Sequence, residues 1–227
     1  MIYENVCPAK FIDRPNRFIA HILLNGRTEI AHVKNTGRCR ELLVPGADVI
    51  VRHDPSPKRK TAYDLIAVYK GDRLINMDAN APNTVFGEWL AAGGMGYVPE
   101  LIRPEQTHGD SRFDFFFRHG GASAFAEVKG VTLEQDGIVR FPDAPTQRGV
   151  KHLRGLMRCV DEGLEAYAVF IVQMKGVQYL EPNRAMHPEF ADALREAAER
   201  GVKLLALDCL VTEASLTADA PVEVRLV

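Results

Sequence analysis

The sequence predicts two domains, a small all-β barrel over residues 1–80 and an α/β domain with a mixed sheet over residues 81–227, and three observations predict them. The first is a set of short alternating segments joined by turn dipeptides in the N-terminal third. The second is a succession of helical periodicities and buried apolar runs in the remainder. The third is charge. Residues 1–60 hold eleven Lys/Arg against six Asp/Glu, a net of +5, whereas residues 61–227 hold seventeen against twenty-four, a net of −7. A basic part joined to an acidic one suits a module that touches a polyanion beside one that carries metal-binding carboxylates.

The 227 residues, 46% of them hydrophobic, suffice for two modest cores. No run of eighteen apolar residues occurs, and the opening MIYENVCPAKF has no leader-like apolar stretch, so a cytoplasmic protein without a membrane partner is expected. Cys7, Cys39, Cys159 and Cys209 are too dispersed for a zinc pattern and too few for a disulfide scaffold; they read as separate reduced thiols.

In the first domain, residues 16–25 and 28–34 flank an Asn25-Gly26 turn, residues 47–53 and 61–70 flank a loop of Pro, Lys and Arg, and residues 73–78 follow Gly71-Asp72. Five short strands with tight turns suggest a barrel of oligonucleotide-binding type, which buries its own edges. Between the second and third strands, Asn35-Thr36-Gly37 presents backbone N–H groups with Arg38 and Arg40 nearby, an arrangement suited to phosphate; equally, this is a turn whose Leu42 and Leu43 plug the barrel. The loop ending in Lys58-Arg59-Lys60 offers sequence-independent contacts to nucleic acid, or simply solubilises the surface.

In the second domain Asn83 is placed to cap a helix over residues 84–92 that stops at Gly93-Gly94. Residues 146–162 carry Val150, Leu153, Met157 and Val160 at helical spacing behind a Thr146 cap, residues 164–173 form a continuous apolar strand, a helix starts at Pro188 and stops at Gly201, and residues 202–211 form another buried strand.

Asp114 and Glu127-Val128-Lys129 are the chemistry-bearing set. Gly120-Gly121 is a preferred two-residue hairpin loop; centred there, it pairs 119 with 122, 117 with 124 and 114 with 127. Alternation places Arg112, Asp114 and Phe116 on one face and Phe113, Phe115 and Phe117 on the other, with Glu127 and Lys129 sharing a face of the partner strand. The two carboxylates then stand across one rung, with side-chain roots roughly 5 Å apart. Like charges so close favour a raised pKa or a bound hard cation, Mg²⁺ or Mn²⁺ before zinc. Lys129 reaches the same site, able to orient a water or steady charge on phosphorus. Glu88, between apolar positions of the preceding helix, is a further candidate ligand, or a plain surface glutamate. The alternative for the whole set is a salt-bridge ladder on an exposed hairpin.

The segments His32-Val33-Lys34-Asn35-Thr36-Gly37-Arg38-Cys39, Gly109-Asp110-Ser111-Arg112-Phe113-Asp114-Phe115, Ala126-Glu127-Val128-Lys129-Gly130 and Phe141-Pro142-Asp143-Ala144-Pro145-Thr146-Gln147-Arg148-Gly149-Val150-Lys151-His152-Leu153 resemble the sugar fermentation stimulation protein family, SfsA, over almost the whole chain. The resemblance implies an oligonucleotide-binding-like domain, a restriction-endonuclease-like domain of the PD-(D/E)xK type, DNA binding, and a role in regulating sugar metabolism, notably maltose use. It places the helical acid on Glu88, the aspartate on Asp114 and E-x-K on Glu127 and Lys129. It also favours Arg148, Lys151 and His152, at the start of the helix behind the proline-stiffened loop, as phosphate-gripping groups; the structural alternative is an Asp143–Arg148 ion pair pinning that loop. Three functions follow as expectations: a Mg²⁺- or Mn²⁺-dependent nuclease, a non-catalytic DNA-binding regulator on a nuclease scaffold, or a hydrolase of small phosphate esters.

Overall fold

Alternation along the first segments buries one side of each strand, and the strands close on themselves. The computed structural model describes every residue except Thr36, Arg38, Pro57, Lys58 and Val227. Strands β1 (Val6–Asn16), β2 (Ile19–Leu24), β3 (Arg27–Val33), β4 (Asp48–His53), β5 (Tyr63–Lys70) and β6 (Arg73–Asn76) lie in the order β3-β2-β1-β4-β5-β6, and a parallel pairing of β3 with β5 shuts a five-stranded barrel. Leu24 pairs with Arg27 across Asn25-Gly26, both at positive φ, as a primed turn requires. Ile22, Val33, Val49 and Leu65 fill the interior, and Leu42 and Leu43 plug it. Strand β1 is absent from the sequence expectation because Pro8 and Pro15 interrupt its pattern; Pro8 is nonetheless accommodated opposite Ile50 of β4.

The second domain comprises α1 (Ala81–Ala91), β7 (Leu101–His108), β8 (Ser111–His119), β9 (Ala122–Val131), β10 (Leu133–Gln135), β11 (Ile138–Phe141), α2 (Gln147–Asp161), β12 (Glu165–Val172), β13 (Tyr179–Pro182), α3 (Pro188–Glu199), β14 (Lys203–Thr212), β15 (Ser215–Pro221) and β16 (Glu223–Val224). The main sheet runs β15-β14-β12-β9-β8-β7, parallel through β9, β12 and β14 and antiparallel at its edges; a small sheet runs β10-β11-β13-β16. The expected helices, hairpin and central strands are all present. The edge strands β7 and β15 and the small sheet are additions, short or polar enough to leave little periodicity.

Helix α1 covers one face of the main sheet, with Val85, Phe86 and Leu90 against Phe115, Phe117 and Val128. Helices α2 and α3 cover the other, where Leu153, Phe190 and Leu194 join Phe125 and Phe170 in a core continuous with the barrel interior. Full burial of such side chains contributes about 1.5–3 kcal/mol each. Thr146 Oγ1 accepts from Gly149 N (3.0 Å) and so starts α2 at a fixed place. Further along α2, a Cβ on Gly155 would lie 2.8 Å from Ser111 Oγ and 3.0 Å from Phe113 Cζ. Gly155→Ala is therefore expected to destabilise by about 1–3 kcal/mol, read as a lower denaturant midpoint at unchanged slope; wild-type stability would refute the close approach.

Polar bonds lock the domains together. Asn76 N donates to Gln173 O (2.9 Å), Gln173 Nε2 donates to Asn76 Oδ1 (2.9 Å) and Asp78 O (3.1 Å), and Lys70 and Arg73 both pair with Glu134. Among the described residues no helix is long and apolar enough to cross a membrane.

Candidate metal and nucleic-acid site

The Gly120-Gly121 turn sets the register: both glycines have positive φ, and His119 pairs with Ala122, Phe117 with Ala124 and Phe115 with Ala126. At the next rung the ladder gives way to a side chain, because Asp114 Oδ2 accepts from Val128 N (2.7 Å). Opposite Asp114 on the other flank, between the pairs Pro104–Phe115 and Gln106–Phe113, stands Glu105 at φ 57°, a left-handed residue within β7. The phenylalanine face breaks at this point. Phe115 packs on Phe86 of α1 (5.3 Å between rings), whereas Phe113 packs on Phe125 (5.4 Å) and faces His152 of α2 (6.2 Å). The expected grouping of Phe113 with Phe115 and Phe117 is thus corrected.

Asp114 Oδ1 accepts from Asn83 Nδ2 (2.9 Å). That bond also corrects the expected cap: α1 begins after Asn80, and Asn83 lies inside the helix with its side chain committed to Asp114. Burial, and then the neighbouring Glu127 charge, hold the Asp114 carboxyl above its ordinary range against the lowering effect of Val128 N–H, Lys129 and Asn83. Burial alone would raise Glu127 as well, but the hydrogen bond from His152 and the charge and bond of Lys129 outweigh it, so this carboxyl sits below its ordinary range. Both partners meet the same oxygen, Oε1. The other, Oε2, is buried and has no hydrogen-bond partner among the described residues.

The remaining expected residues divide. His152, read from sequence as a phosphate contact, is buried with Nδ1 on Glu127, and its Nε2 accepts from Arg148 Nε (3.4 Å). It is a member of the carboxylate cluster, and its signal lies in α2 itself: Gly155 lets the helix approach β8 closely and Gly149 lets it approach Phe190 of α3, which widens its buried arc to include position 152. Arg148 and Lys151 are exposed, Lys151 pairing with Asp110 (3.5 Å). No Asp143–Arg148 pair forms. Glu88 is exposed and ion-paired with the Met1 amine, so it is not brought to Asp114 and Glu127. Arg59 is held by Asp54 and by the buried Asp64, which removes it from the free basic surface, whereas Arg40 and Lys60 are exposed without ion-pair partners among the described residues. Arg38 and Lys58 lie outside the described residues. Among the described residues no three His, Cys, Asp or Glu side chains converge as a metal-ligand set; the site offers two carboxylates.

Two family models divide the chain where the barrel ends and α1 begins: the SfsA N-terminal OB domain matches residues 12–77, and the sugar fermentation stimulation protein RE domain matches residues 80–215. The chain belongs to the SfsA family. Sugar fermentation stimulation protein homologs from Desulfitobacterium hafniense and Clostridium beijerinckii are 56% and 52% identical to it, each alignment covering 100% of this chain and 99% and 100% of the relative. Among solved structures, that of Pyrococcus furiosus SfsA in complex with Ca²⁺ is similar over 99% of this chain and 98% of that one, with a TM-score of 0.89 and 25% identity.

Proposed function

We propose that the chain is a DNA-binding protein on an endonuclease-like scaffold, in which Asp114 and Glu127 seat a divalent cation against a backbone phosphate without turnover being required. The observation that carries this reading is the buried, unpartnered Glu127 Oε2 beside an Asp114 carboxyl held above its ordinary range. A cation relieves both, by pairing the orphan oxygen and by neutralising the like charges. Two carboxylates are enough for Mg²⁺ or Mn²⁺, which fill their remaining positions with waters and phosphate oxygens, and Ca²⁺ in the P. furiosus relative supports a hard cation in this family. When bound, the ion would neutralise phosphate charge.

The chain's own residues do the positioning. Val128 N–H and Asn83 fix Asp114, while His152 and Lys129 fix Glu127 through one oxygen and leave the other free. Binding without turnover is favoured because Lys129 Nζ is committed to Glu127 and Glu88 supplies no third acid. The barrel adds exposed Phe18 with the Arg17 guanidinium 4.7 Å from its ring centre, a pairing that suits an unstacked base, along with Arg40 and Lys60 for phosphates. Control of sugar use is the physiological setting that the family name suggests.

A second reading, Mg²⁺- or Mn²⁺-dependent phosphodiester hydrolysis, rests on placement alone: Asp114 on β8 stands beside Glu127 and Lys129, two residues apart on β9. Anisotropy of labelled single-stranded and duplex DNA, titrated in EDTA, Ca²⁺ and Mn²⁺, tests both. Expected is binding that weakens steeply between about 50 and 200 mM salt and strengthens with cation in the wild type but not in Asp114→Asn. Asp114-dependent cleavage in Mn²⁺ would install the second reading, and absence of DNA binding under every condition would remove the first.

A further inference from the structure

A partly open cavity of about 110 Å³ lies at the seam of the two domains. Its lining includes Asn35 from the barrel side, Ala79 from the connection, Gly130 at the end of β9, Phe141 of β11, Asp143, and Gln173 just after β12. Strands β9 and β12 are parallel, so the cavity sits at the carboxyl ends of the central parallel strands, where chain connections diverge and ligands gather in open α/β sheets. Gly130 directly follows Lys129, so this space adjoins the carboxylate cluster along β9.

The polar groups around it are committed at one end and free at the other. Gln173 spends its Nε2 on Asn76 and Asp78, leaving Oε1, which lies so near Gly130 that a Cβ there would be 2.5 Å away. Asn35 Oδ1 accepts from Gly37 N (2.8 Å), and among the described residues its amide nitrogen has no partner. Among the described residues Asp143 has no side-chain partner. Burial pushes its carboxyl up, and only its own and the Ala144 N–H groups work against that. Gly37 packs directly on this carboxyl, since any Cβ there would overlap Asp143 Oδ2. Phe141 supplies an aromatic wall, fixed edge-on by Phe170 (5.8 Å) and Phe190 (5.2 Å).

One aromatic wall, one amide donor and two acceptors, Gln173 Oε1 and Asp143, define a ligand that is flat and has N–H and acceptor groups on one edge. Arg140 also lines the cavity but is neutralised by Glu181 (2.6 Å), so an anionic phosphate is opposed by Asp143. A partly open space of about 110 Å³, below the ~150 Å³ that takes a whole benzene ring, holds only the edge of one base entering from its open side, and no base pair. We infer that the seam cavity receives the edge of an unpaired nucleobase, which meets Phe141 and is read by Asp143, Asn35 and Gln173 while the rest of the base lies at the open rim. As a base within a strand, it rests on the DNA-binding reading above, with the strand's phosphate at the Asp114–Glu127 pair. Guanine, with adjacent N–H donors, matches a carboxylate best.

The test compares wild type, Asp143→Asn, which keeps the volume, and Ala79→Trp, which places a bulky ring at the exposed rim. Anisotropy with single-stranded and duplex oligonucleotides is run beside calorimetric titration of the four nucleoside monophosphates, and melting curves check folding. Loss of about tenfold in single-strand affinity in both variants, with duplex affinity and melting unchanged, is the expected result. Unchanged single-strand affinity in both variants, or an equal fall for single strand and duplex, overturns the pocket and leaves DNA binding standing. Retained nucleotide binding that both variants abolish, without any oligonucleotide binding, supports the pocket and overturns the DNA-binding reading. No binding of either probe by wild type overturns both.

Discussion

Cation-free Asp114→Asn protein is expected to be more stable than the wild type at neutral pH, by about 1 kcal/mol, which for a chain of this size is about 2–4 °C in melting temperature. The sign follows from linkage. The folded Asp114 carboxyl is raised from its ordinary 3.8 by burial and by Glu127, so the folded state holds a proton that the unfolded chain has released. Wild-type stability from this group therefore falls as pH rises from about that ordinary value through the raised one, and stays low above it. Asparagine removes the loss. Its carbonyl keeps the bond from Val128 N–H, and its amide is matched by a turned Asn83. Added Mn²⁺ or Ca²⁺ reverses the ranking: at a hundredfold excess over the dissociation constant, wild type gains about 2.7 kcal/mol, and the variant much less. Thermal scans from pH 4 to 8 in EDTA and in Mn²⁺ separate the two effects. A variant less stable than wild type in EDTA, or equal cation stabilisation of both, would falsify this account of the pair.

The same site shows what a sequence discloses and what it hides. Register was legible because Gly120-Gly121 sets it locally, and the observed pairs obey it. The facing of Phe113 was not, since the face breaks opposite left-handed Glu105 in β7, a strand whose Pro104 and polar neighbours erase its alternation. Helix α1 was legible as a helix but misphased by its start: three residues of error turn Asn83 from a cap into the residue that holds Asp114. The acid pair therefore survives the transfer from pattern to coordinates, while Glu88 does not join it. Residue His152 illustrates the reverse case. It sits beside Lys151 in a basic stretch that reads as surface, and only the close approach of α2 to the sheet brings it onto Glu127.

The basic loop before β5 is the sharpest instance of a charge whose role the fold reverses, and Asp64→Ala is expected to unfold the barrel more effectively than any surface change. Asp64 is fully buried; Arg59 grips both of its oxygens, Lys34 lies 3.6 Å and His32 3.5 Å away. Burial alone would raise this carboxyl, but Arg59 and Lys34 hold it below its ordinary range. Removing it leaves, among the described residues, Arg59 held by Asp54 alone and Lys34 by Asp78 alone beside a buried gap, at a cost of about 3 kcal/mol. Because the folded pKa is depressed, the stability it contributes is complete above the ordinary 3.8 and disappears as pH falls through the folded value; the variant's melting temperature should accordingly change less than the wild type's over that acid range. Lys34 also bonds Asp78 (2.9 Å) in the link to α1, so loss of Asp64 should loosen the domain seam too, visible as faster amide exchange in residues 76–80. Arg59→Ala should behave like Asp64→Ala in melting, and Lys60→Ala should leave melting alone while weakening DNA association. If Arg59→Ala instead keeps full stability and loses only DNA binding, the loop is a nucleic-acid contact after all and the buried ion cluster does not hold the barrel together.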